Sequence, residues 1–280
     1  MSLTDETASL GTSSSVAPSA VRSLHIPGKW VRGAIGAAVL FLLLEGLTRA
    51  ELVTPEYLPP ASSILGEVFE LLGQKEFLRD LWVTVQACLV GLMLATVIAV
   101  PLGLVLGLGE TAYKASIIVI EFLRPIPSVA LIPLAILIYG RGLEMKVALV
   151  IFACLWPILF NTIYGIHSVD PVAADTARVF GLGRLQIGAR VYLLSASPFI
   201  FTGFKIATSI AVILAVSAEL LAGGSEGIGI VMLEAATIGN QQTVYAITII
   251  TGLLGLVLIG LLGVIERRLF AWADVAGAVA

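Results

Sequence analysis

Charge is scarce in this sequence. Only 12% of its 280 residues are Asp, Glu, Lys or Arg and 58% are hydrophobic, whereas ordinary soluble domains are roughly a quarter charged. That shortage excludes a water-soluble globule and predicts an integral membrane protein. The formal net charge of −3 is too small to hold a polyanion, so no nucleic-acid partner is expected. Cysteine is almost absent: Cys88 and Cys154 both lie inside apolar runs, without a C-x-x-C spacing. They read as small packing residues, and neither a metal cluster nor a cofactor is expected. Also missing is any G-x-x-x-x-G-K-[ST] phosphate loop. The chain is therefore not expected to hydrolyse ATP, and a driven transport step would need its motor on another polypeptide.

What is present is a set of long apolar runs. A spanning helix needs about 20 mostly apolar residues, because hydrocarbon offers the backbone no water to bond. Six stretches qualify, giving an all-α integral membrane fold: Val31–Leu47, Leu81–Leu108, Ala115–Tyr139, Met145–Ile166, Phe199–Ala222 and Val244–Ile265. Residues 1–28 are rich in Ser, Thr and Ala with no apolar period, and read as a disordered tail ahead of a membrane domain over 29–280. Arg22, Lys29 and Arg32 before the first run also fit a signal peptide, but Glu45 interrupts the apolar region. An uncleaved helix is the preferred reading.

Six spans put both termini on one side. With that side inside, the internal segments hold Arg22, Lys29, Arg32, Lys114, Arg178, Arg184, Arg190, Lys205, Arg267 and Arg268. The external ones keep Arg49, Lys75, Arg79, Arg141 and Lys146. Basic residues favour the cytoplasmic side, so both termini are expected there.

The third span cannot be straight. Pro125, Pro127 and Pro133 each remove a backbone donor and clash with the preceding turn, so the chain must bend or unwind. Such breaks survive at membrane depth where they pack in protein or line a watery cavity. Arg124 stands at this break, and an arginine within a span is costly unless paired or hydrated. Two readings are open: Arg124 borders a permeation path and attracts an anion, or it pairs with Glu121 one turn earlier or snorkels to the surface. Glu219, before a glycine-rich stretch and a short outer helix over Ile228–Ile238, reads as a path wall or a hydrogen-bonded hinge. Gly103 and Gly107 report close helix packing.

Between the fourth and fifth spans lies a polar island, Asp170–Pro198, carrying Arg178, Arg184 and Arg190. Asp170 suits an N-cap and Pro171 a first helical turn, while Gly181 and Gly183 can take a positive φ. Two helices are predicted, Pro171–Phe180 and Arg184–Leu194, joined by a glycine elbow. The island is either a docking element or an interfacial loop whose arginines face lipid headgroups.

The run Asp175-Thr176-Ala177-Arg178-Val179-Phe180-Gly181, followed by Val191, Leu193, Pro198 and Gly203, resembles the cytoplasmic loop signature of ABC importer permeases. That pattern is an acid, two alanines, three residues, a glycine and a later Ile-x-Leu-Pro. Asp175 stands where the family has glutamate, Thr176 where it has alanine and Leu194 where it has proline. The stretch Leu123–Leu137 is similar to the proline-rich third span of the nitrate, sulfonate and taurine branch. Ala218–Gly223, leading to Gly227-Ile228-Gly229, resembles the same branch after its fifth span. The resemblance implies a type I ABC importer transmembrane domain, paired as a homodimer in a bacterial plasma membrane. It implies two ABC ATPase partners gripping Asp175, Thr176, Ala177, Arg178 and Gly181 within a coupling loop over 168–197. It also implies a solute-binding protein at the outer face. Glu121, Arg124, Pro125, Pro127 and Glu219 are the candidate path residues.

Two rival classes are weighed. Gly223-Gly224-Ser225-Glu226-Gly227 matches G-x-S-x-G, but helices flank it and His167 is predicted at the opposite membrane face, so no catalytic residue is expected. An ion-gradient-driven secondary transporter would also lack an ATPase motif, yet neither inverted repeats nor membrane acids arranged for coupling ions are evident.

Overall fold

The computed structural model describes residues 28–50, 53–54 and 56–270; the tail expected over 1–28 lies outside them except for its last residue. Among the described residues every element is helical: α1 (Gly28–Arg49), α2 (Ala61–Gly73), α3 (Lys75–Leu108), α4 (Glu110–Leu123), a 3-10 turn (Ser128–Leu131), α5 (Ile132–Tyr139), α6 (Leu143–His167), α7 (Pro171–Val179), α8 (Arg184–Ile187), α9 (Leu193–Ala222), α10 (Ile228–Thr237) and α11 (Gln241–Leu269). A π turn over Gly188–Tyr192 joins α8 to α9. Among the described residues five helices are long and apolar enough to cross a membrane, and six if the bent pair α4 and 128–139 counts as one span.

The core is a seam of α3, α6 and α9. Small residues recur every four positions along α3: Gly91, Ala95, Ala99, Gly103 and Gly107. The facing ridge of α6, Val150, Cys154, Ile158, Thr162 and Ile166, has the same spacing and is almost wholly buried. Two i±4 ridges that interdigitate let the backbones approach closely, which is how membrane helices associate where lipid supplies no hydrophobic drive. A third ridge closes the seam from α9 with Gly203, Ala207, Ala211 and Ala215. The two thiols lie inside it: Cys154 Sγ donates to the Ala207 carbonyl at 3.2 Å and Cys88 Sγ to that of Ala211 at 3.5 Å.

Gly103 marks one of the tight crossings, where a Cβ would fall 2.7 Å from the Thr162 side chain. Gly103→Leu is expected to lose about 1–3 kcal/mol or more through overpacking, read as a lower melting temperature in detergent and a lower membrane yield. Gly260→Leu on α11, where nothing lies within 4 Å, should leave both unchanged.

The proline-rich span is broken as its composition requires. α4 ends at Leu123, and the two halves meet at 77°. The island departs from its two-helix reading in one respect. Gly181 takes φ +82 as expected, but Gly183 stays at φ −72 and caps α8, which runs through the π turn into α9. Asp170 caps α7, its carboxylate accepting from the Val172 N–H at 2.9 Å. α2 had no sequence assignment because 13 residues are too short to span. It packs Ile64, Val68 and Leu71 beneath α11. Glu45, the acid that interrupts the apolar run of α1, accepts from the N–H and hydroxyl of Ser62 in the first turn of α2, each at 2.9 Å.

Candidate functional site

Three features stand out along the bundle: a cavity at the broken span, a buried polar knot at the α10 end and an exposed island at the α7 end. The cavity, about 470 Å³, lies between the break, α6 and α9. Arg124 and Ser128 enter it from the break, and Trp156, Phe160, Asn161 and Tyr164 from α6. No lining residue is acidic. The Arg124 guanidinium lies 4.6 Å from the centre of the Phe160 ring, a cation–π contact that holds the charge without neutralising it. Trp156 Nε1 is buried with no acceptor among the described residues. Because Pro125 has no N–H, the Glu121 carbonyl loses its helical donor.

The pair between Glu121 and Arg124 does not form. Arg124 has no ion-pair partner among the described residues, and Glu121 is exposed outside the cavity lining. Helical spacing gives neighbours on a continuous helix, whereas the span ends at this arginine.

Glu219 belongs to the knot. It is completely buried, and its carboxylate accepts from Lys146 Nζ at 2.8 Å, the Thr84 hydroxyl at 2.9 Å and the Gly229 N–H at 2.9 Å. The knot extends outward. Lys146 also donates to the Glu226 carbonyl at 2.9 Å, the Asp80 carboxylate accepts from the Gly227 N–H at 2.9 Å, and Arg79 pairs with the Glu226 side chain. Gly227 stands at φ +131, and a Cβ there would fall 2.3 Å from the Glu219 carboxylate. Four helices, α3, α6, α9 and α10, are thus tied at one point. Glu219 does not share the cavity with Arg124. Lys146 was missed as its partner because it lies 73 residues away, at the start of another helix.

On the island, Asp175 pairs with Arg178 one turn later, and Thr176 is exposed while Ala177 is half-buried. The apolar side chains are the unexpected part. Val172, Val179, Phe180 and Leu185 are 66–91% exposed on a segment too polar to sit in lipid. Such a patch marks an interaction surface. The island's arginines drew attention in the sequence; these hydrophobic residues did not, since only the fold reveals that α7 buries Ala174 and turns the others outward.

Ser225 lies in the loop beside the knot, while His167 closes α6 and hydrogen-bonds the Gly107 carbonyl at 3.1 Å. A 25-residue helix separates those ends, about 37 Å at the α-helical rise. That distance excludes a Ser–His pair.

Residues 99–271 match the family of binding-protein-dependent transport system inner membrane components. The chain is 30% identical over 240 residues to the taurine transport system permease protein of Escherichia coli, covering 84% of this chain and 87% of that protein. It is 27% identical over 250 residues to the nitrate import permease protein of Leptolyngbya laminosa, covering 86% and 89%. In fold it resembles a bacterial ABC transporter involved in the import of the acidic polysaccharide alginate, with TM-score 0.57 and 14% identity over 85% of this chain and 96% of that one.

Proposed function

This chain belongs to the family of binding-protein-dependent transport system inner membrane components, as an ABC importer permease of the nitrate, sulfonate and taurine branch; from that premise we propose that it passes a small anion or sulfonate through the cavity headed by Arg124. The observation that carries the proposal is an un-neutralised guanidinium in a cavity without an acid. An oxyanion in the cavity can accept from that guanidinium, and charge-assisted hydrogen bonds of this kind are the strong ones. Pro125 and Pro127 shape the break that admits it. Glu121 lies outside the cavity lining, and Glu219 acts from the knot by fixing α9.

In this reading the α7 end faces the cytoplasm, where the basic residues concentrate. There α7 and the turn that follows it, with Asp175, Thr176, Ala177, Arg178 and Gly181, engage a separate ATPase. A second copy of the chain supplies the facing wall of the path, and a solute-binding protein delivers the solute at the α10 end. The chain carries out no covalent chemistry. Closure of the ATPases moves the island, and α8 transmits the motion because it is continuous with α9.

The test is Arg124→Gln in proteoliposomes holding the chain with its ATPase and binding protein. Uptake of labelled taurine or nitrate, whichever the binding protein delivers, is expected to fall about tenfold or more with the loss of a charge-assisted hydrogen bond. ATP hydrolysis should persist. Unchanged uptake would remove Arg124 from the path.

A further inference from the structure

A second cavity, about 390 Å³, lies where the island meets the end of α3. Its lining is Leu108, Arg178, Arg184, Ile187, Gly188 and Tyr192, which combines apolar side chains with two guanidinium groups and a phenol. The charges are not equivalent. Arg178 is engaged by Asp175, whereas Arg184 has no ion-pair partner among the described residues and no carboxylate in the lining.

The level of the cavity follows from helix length. α3 has 34 residues, about 50 Å at the α-helical rise, against a hydrocarbon core of about 30 Å and a bilayer of about 40–45 Å with its headgroups. Leu108, its last residue, therefore lies in or just beyond the headgroup layer. We propose that this cavity is a phosphate-binding site that seats the headgroup of an anionic phospholipid: Arg184 and Tyr192 hold the phosphate. Basic pockets between membrane helices are suited to such headgroups. The site is distinct from the solute cavity and does not depend on which solute is carried. It would set the π turn, and with it the root of α9, by a lipid contact.

The full-length chain in micelles of mixed phosphatidylglycerol and phosphatidylcholine is examined by native mass spectrometry, and inorganic phosphate is titrated calorimetrically into lipid-free micelles. The expected result is preferential retention of phosphatidylglycerol, reduced about tenfold in Arg184→Gln, reduced also in Tyr192→Phe and unchanged in Arg190→Gln, an exposed arginine outside the cavity. Phosphate binding that needs Arg184, without lipid preference, would assign the same site to a soluble phosphate. Equal retention of both lipids with no phosphate binding, or equal losses in Arg184→Gln and Arg190→Gln, would overturn the proposal.

Discussion

Lys146→Met is expected to cost the chain about 3–5 kcal/mol, because it strands Glu219 as an uncompensated buried charge. The pair is nearly dry, with side-chain exposures of 6% and 0%. Solvent therefore cannot replace the missing ammonium. The loss should appear as a fall in melting temperature on the order of 10 °C in detergent, with reduced membrane yield. The double variant Lys146→Met/Glu219→Gln removes the stranded charge and keeps an oxygen that can accept from Gly229 or Thr84. It should recover much of the loss. A single variant as stable as the parent, or a double variant no better than the single, would show that the knot is not held by charge.

Gly181→Val is expected to abolish ATP-driven uptake while leaving the chain in the membrane. The position is at φ +82, where a side chain is strained, yet no neighbouring atom lies within 4 Å. A branched residue there costs roughly 1–2 kcal/mol in backbone strain, and its bulk projects into the space a docked partner would fill. Gly181→Asn, which tolerates the left-handed conformation, separates the two effects. If backbone shape governs coupling, asparagine retains uptake; if clearance governs it, both variants fail. Full uptake by the valine variant in proteoliposomes with its ATPase would refute a role for this turn in coupling.

Much of the architecture was readable before folding. Apolar runs located the long helices, and Pro125 and Pro127 announced a break that the structure places at 77°. Four-residue spacing of glycines implied close packing, which the α3–α6 seam realises. Legibility ended where partners are distant or local order fails. Glu219 was recognisable as costly, but its partners Thr84, Lys146 and Gly229 come from three other elements. Glu121 followed a rule valid for unbroken helices, and the break annulled it. Gly183 has the composition of an elbow, yet Gln186 accepts its backbone N–H at 3.1 Å in a helix cap, so the chain continues into α9.

The shielded thiols carry a practical consequence. Cys88 and Cys154 are spent on carbonyls of α9 and are at most 2% exposed, so maleimide reagents added to the intact protein meet no native target. Reporter cysteines can be introduced on the island or at the cavity mouth without first rebuilding a cysteine-free background, and any labelling of the native pair during turnover would signal that the three-helix seam itself has parted.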